Sequence, residues 1–215
     1  MAKYFVFIDN FSLILPIITI IGIIIGFFYF KKINSAKRIL LYLLIASLGT
    51  EILSYISARL FGSNLIFLNM YAIIELTLIY SFLRTNTFSL RNFFDIGYLI
   101  LLSFNIFELI NIDYQNFDMF QAYSRSINSI FLFFAAIVII IDKLNKDAFD
   151  PSNKIYYALP FFLVVNALLY LPMNILINFK DIRVYIVWFA NTLNISIFFS
   201  FIIYQIWKYG RVQKM

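Results

Sequence analysis

Residues 69–84, NMYAIIELTLIYSFLR, hold a single acid, Glu75, in an apolar run that meets no base until Arg84. Whether this run crosses a membrane settles the architecture. As a membrane span it completes an odd set of crossings. It also puts an ionisable group in hydrocarbon, where an unpaired charge costs about 2.5–3.5 kcal/mol on insertion scales. What surrounds the run says which reading holds and what offsets that cost.

The rest of the chain is apolar almost throughout. Of 215 residues, 63% are hydrophobic and 13% charged, with a mean hydropathy of +0.88, against about 25% charged residues in an average soluble protein. Apolar runs of about 18 or more residues can cross a hydrocarbon core of about 30 Å at 1.5 Å per residue, and here they recur until little chain is left over. The expectation is an all-α integral membrane bundle, a single domain over 1–215. Its seven transmembrane helices fall at about 10–30, 39–58, 65–83, 93–111, 121–141, 155–177 and 184–207. The first, second, sixth and seventh are nearly free of charge; the other three are interrupted by ionisable groups. Pro16, Pro160 and Pro172 fall inside spans, where neighbouring helices can satisfy the freed carbonyls, so they predict kinks and not breaks.

Charge in the connections orients the bundle. Twelve bases follow the first, third, fifth and last spans: Lys31, Lys32, Lys37, Arg38, Arg84, Arg91, Lys143, Lys146, Lys154, Lys208, Arg211 and Lys214. The opposite side has Lys3, Arg59, Lys180 and Arg183, and its connection NIDYQNFD carries Asp113 and Asp118 with no base. By the positive-inside rule the N-terminus is outside and the C-terminus cytoplasmic, in the inner (cytoplasmic) membrane, which requires an odd number of spans. The net charge of +6 is this rim beside anionic headgroups, so the partner it implies is the lipid bilayer and no nucleic acid. The first span is followed by a Lys pair and no A-x-A cleavage site, and is expected to stay in the mature protein.

With no Cys and no His, the chain has no thiol nucleophile, thiolate metal site, imidazole base or HExxH zinc site. No catalytic residue, metal or cofactor is expected; acid–base work on a lipid by two carboxyls is the weakest of the functional readings. The signal lies in polar residues within the spans. Glu51 sits about eight residues from the outer end of the second span and Glu75 about ten from the outer start of the third, roughly 12–15 Å below the outer surface. Ser47, Glu51, Ser54 and Ala58 recur at intervals of three or four, and Tyr71 and Glu75 are four apart, so each set shares a helix face.

Arg125 near the outer start of the fifth span can reach inward on its long side chain, with Asn128 and Ser129 one turn below. The sixth span aligns Asn166, Tyr170 and Asn174; the seventh offers Asn191 and Asn194 beside Trp188; the fourth adds Asn105 and Glu108. Glu75 and Glu51 are therefore expected to converge on Arg125, hydrogen-bonded by Tyr71 and the asparagines, with one acid left over to carry a proton or bind a cation. The candidate ligand or proton site is Glu51, Tyr71, Glu75, Arg125, Asn128, Tyr170, Asn174, Asn191 and Asn194. The competing expectation is packing: buried Asn and Ser also join helices, at roughly 0.6–2 kcal/mol per hydrogen bond. The Gly22 to Gly26 spacing in GIIIG hints at a close helix contact, and Asp95, Glu108 and Asp113 read as interfacial.

Known seven-helix families narrow the function. A retinal-binding rhodopsin needs a lysine midway along its last helix, and WFANTLNISIFFSFIIYQIWK, 188–208, has none before Lys208. A transporter of the three-plus-one-plus-three kind should echo its first three spans in its last three, and here the echo is loose, with no PQ pair. In span number, outside N-terminus, the acid of GTEILSY (49–55) and the tyrosine of NMYAIIE (69–75), the chain resembles the seven-helix membrane sensor modules found ahead of histidine kinase domains. That resemblance implies sensing of a ligand or of membrane state through an outer-half pocket. No kinase follows before Met215, so output is expected to need a separate cytoplasmic or membrane signalling partner. The expected function is a non-enzymatic sensory or accessory protein. The alternative is a small secondary transporter coupled to a proton or cation, gated at Pro160 and Pro172.

Overall fold

The computed structural model describes residues 13–61, 64–86, 88–111, 123–146, 154–178 and 183–212. These form seven helices: α1 (Ile14–Phe28), α2 (Ser35–Phe61), α3 (Leu65–Arg84), α4 (Arg91–Ile110), α5 (Tyr123–Asn145), α6 (Ile155–Asn178) and α7 (Arg183–Val212). Six of them, α2 to α7, are long and apolar enough to cross a membrane. The apolar helix α1 has 15 residues, about 22 Å at 1.5 Å per residue. Residues 10–12 and 121–122 of the expected spans lie outside the described residues, as do Lys3, Asp113, Asp118, Lys180 and Lys214 and the side chains of Asn174 and Arg183.

The outer faces agree with a multi-pass membrane protein. Ile24, Phe28, Phe93, Phe107, Phe161 and Ile197 are 63–74% exposed. A soluble monomer rarely shows apolar patches beyond about 300–600 Å²; in a bilayer such faces meet lipid tails. Because those tails are as apolar as leucine, apolar burial does not itself bring the helices together, and close packing and interhelical hydrogen bonds must do so.

Helix α1 shows the packing term at work. Its buried face is Leu15, Thr19, Gly22 and Gly26. A Cβ on Gly22 would collide with Ile203 of α7 and Leu44 of α2, and one on Gly26 with Leu41 of α2. The GIIIG motif thus lets α1 lie in the groove between α2 and α7. Gly26→Ile is expected to cost about 1–3 kcal/mol through overpacking, read as a lower melting temperature of the detergent-solubilised protein. Ile24→Ala, on the exposed face, should leave that temperature unchanged.

Around the bundle α1 lies between α2 and α7, α2 packs on α3, α3 on α5, α5 on α6 and α6 on α7. Six helices therefore close a ring, and α4 packs outside it against α3 and α5. Alternate helix ends meet at one end of the ring. There the Lys37 ammonium in the first turn of α2 lies 3.6 Å from the centre of the Tyr209 ring of α7. Asn86 after α3 donates to Tyr156 Oη of α6 at 2.6 Å, and Ser89 before α4 donates to Asp142 of α5 at 3.0 Å. At the same end Asp95 accepts from Tyr80 Oη at 2.7 Å and lies 3.2 Å from Arg84 Nε. Glu108 instead caps α5, accepting the N–H groups of Tyr123 and Ser124 at 3.2 Å each.

Several details differ from the sequence expectation, the end of α5 at Asn145 and not at 141 among them. Helix α2 begins at Ser35 and not at 39, because Asn34 Oδ1 accepts the Lys37 N–H at 3.1 Å and caps it, a signal that lies ahead of the apolar run. Helix α7 continues to Val212, five residues past the expected 207. Pro16 is in the first turn of α1, where no intrahelical donor is lost, so no kink is needed there. Pro160 and Pro172 do lie inside α6, which runs unbroken around them.

Candidate functional site: a buried ion pair inside the ring

On α3, Tyr71 and Glu75 occupy one face, and that face turns into the ring. Glu75 is ten residues from Leu65 and nine from Arg84, about 15 Å from either end of the helix. It is 6% exposed. Opposite it, Arg125 in the first turn of α5 is 4% exposed and brings Nε to 3.2 Å from Glu75 Oε2. The Nε–H has no aligned acceptor, so this contact is carried by charge more than by a directed hydrogen bond.

Two aromatic faces enclose the guanidinium. Its carbon lies 4.2 Å from the centre of the Tyr170 ring of α6 and 5.1 Å from that of Tyr71. Asn191 of α7 donates to Tyr170 Oη at 3.0 Å, and Ser47 of α2 faces Tyr71. Five of the six ring helices therefore meet around one charge pair. Magnitudes show what it does for stability. Inserting two separate charges costs about 5–7 kcal/mol. A pair at 4 Å in an effective dielectric of about 20 recovers about 4 kcal/mol, and a desolvated cation–π contact about 2 kcal/mol. The nest comes close to breaking even, so its presence is not explained by a gain in stability.

A second layer of asparagines surrounds it. Asn166 Nδ2 donates to Ser129 Oγ at 3.1 Å, and Ser129 Oγ donates to the Arg125 carbonyl at 2.9 Å. Asn166 Oδ1 and Asn191 Oδ1 are buried with no hydrogen-bond partner among the described residues. Buried acceptors without donors are rare.

Of the sequence candidates, Tyr71, Glu75, Arg125, Tyr170 and Asn191 come together here, and Glu51, Asn128 and Asn194 do not. Glu51 makes no ion pair among the described residues, and its Oε2 is buried without a hydrogen-bond partner. The cause is helix direction. Ser47 faces Tyr71, and α2 and α3 run antiparallel, so four residues further along each helix leads opposite ways, Glu51 from Ser47 and Glu75 from Tyr71. Asn128 pairs with Asn105 of α4 through two amide hydrogen bonds of 2.9 Å and donates to the Ala72 carbonyl of α3 at 3.3 Å. Asn194 donates to the Phe162 carbonyl of α6 at 3.3 Å. Both tie helices together, and neither bonds to Glu75 or Arg125 among the described residues. The Asn174 side chain is outside the described residues. Ser47, Ser129 and Asn166 belong to the nest although the candidate set omits them; each lies four residues from a candidate on its own helix.

Among the described residues no group of three or more His, Cys, Asp or Glu could hold a metal. No family model matches the chain, and no curated protein and no solved structure shows a significant match to it.

Proposed function

We propose that the chain is a non-enzymatic multi-pass protein of the inner membrane, sensory or accessory in role, whose nest around Glu75 and Arg125 takes up a proton or a small ligand. The observation that supports this is the 3.2 Å pair between Arg125 and Glu75, held by side chains from five helices at little net gain in stability. Such a pair is a two-state element: a proton on Glu75, or a competing polar group, removes the counter-charge that holds the guanidinium and changes the balance among five helices at once. With the N-terminus outside, as the basic connections argue, the Arg125 side of the nest lies toward the outer half and the basic end faces the cytoplasm. A separate signalling partner would read the change there.

Trp188 of α7 packs against Tyr170 and Met173, and Trp207 is the other tryptophan of the chain. In a Trp207→Phe background reconstituted into vesicles, Trp188 emission is expected to change with pH, and the change is expected to vanish in Glu75→Gln/Arg125→Met. Emission that follows pH equally in both proteins, or in neither, removes this reading. Proton uptake into the vesicles that Glu75→Gln abolishes would assign transport in its place.

A further inference from the structure

A separate cavity of about 190 Å³ lies at the basic end of the ring, lined by the start of α2, the residues after α3, Tyr156 of α6 and Gln205 of α7. One part of its lining is a helix start. The N–H groups of Ser35 and Ala36, the first two of the 27-residue helix α2, make no hydrogen bond among the described residues, and both residues line the cavity. A helix start of this kind carries partial positive charge.

Independent of the helix, Gln205 points to a ligand. It is 5% exposed, makes no hydrogen bond to any described residue, and borders the cavity. Its side chain is thus buried, unpartnered among the described residues and at the wall of the cavity. Tyr156 Oη accepts from Asn86 and keeps its own hydrogen for donation. Lys37, whose ammonium lies over the Tyr209 ring, also borders the space, and no carboxylate of the described residues does. Donors therefore converge from α2, α6 and α7 on a volume suited to a small anion.

We infer that this cavity binds a phosphate group, contributed by a soluble phosphate or by a lipid headgroup at the membrane surface. It is distinct from the nest around Glu75, which lies mid-helix, and does not depend on the role proposed for that nest.

The test uses the full chain in detergent. One arm measures melting against inorganic phosphate, with chloride at equal ionic strength as the reference. The other measures retention of phosphatidic acid by native mass spectrometry, with diacylglycerol of the same tails as the reference. Two variants accompany both arms. Gln205→Leu keeps the volume and removes the amide, and Ser35→Pro removes one N–H at a first helical position that accepts proline. Saturable stabilisation by inorganic phosphate supports a soluble source, and selective retention of phosphatidic acid supports a lipid source. In either case each variant that folds is expected to weaken binding by about tenfold, the effect of losing one charge-assisted hydrogen bond. No phosphate-dependent effect in either arm, or binding unchanged in the variants, overturns the inference.

Discussion

Glu75→Gln is expected to destabilise the solubilised protein by about 3–5 kcal/mol, while Glu75→Gln/Arg125→Met recovers most of that loss or surpasses the wild type. The single change leaves a guanidinium that cannot deprotonate, 4% exposed and stacked between Tyr71 and Tyr170 with no counter-charge. Arg125→Met alone should cost less, because a solitary Glu75 can neutralise itself by taking a proton. The double change removes both desolvation penalties and fills the space with an apolar chain of similar length. Unfolding by denaturant titration in mixed micelles reads all four proteins. Strictly additive losses would mean that Glu75 and Arg125 do not interact, against the 3.2 Å separation. If the double variant is as stable as the wild type but fails to give a Trp188 response, the pair is kept for what it does and not for what it holds together.

How far such a site can be read from residues alone depends on which geometry a single helix determines. Six spans follow from length and hydropathy, since a run of apolar residues has few other uses. The shared face of Tyr71 and Glu75 follows from a spacing of four, and Arg125 is the obvious counter-charge as a base within a span. What a sequence of this kind leaves open is rotation and relative height. Helices that are apolar on nearly all sides carry a weak facial signal, so nothing marks Tyr170 as the ring beneath the guanidinium. Relative height misleads for Glu51, because counting from helix ends ignores where Ser47 meets Tyr71. Lys37 misleads in the other direction. It reads as a rim charge, yet Asn34 caps α2 early enough to carry it inside, over the Tyr209 ring.

Asn128 separates packing from function, since spacing alone assigns it to the site and the structure gives it to the α3–α4–α5 contact. Asn128→Leu is expected to cost about 2–4 kcal/mol, from interhelical hydrogen bonds worth roughly 0.6–2 kcal/mol each. It removes both amide bonds to Asn105 and the one to the Ala72 carbonyl. Asn105 keeps a bond from Nδ2 to the Leu101 carbonyl at 2.7 Å, so its stranded group is Oδ1 alone. Replacing both asparagines with leucine should therefore be less damaging than the single change, as the buried acceptor disappears with its donor. The same unfolding titration measures these variants, and Trp188 emission in the Trp207→Phe background supplies the second coordinate. Asn128→Leu should lower stability and leave the emission response to pH intact, whereas Glu75→Gln/Arg125→Met should keep stability and lose the response. A variant of Asn128 that loses the response at unchanged stability would return this residue to the site, and would make the amide pair with Asn105 part of the path between the nest and α4.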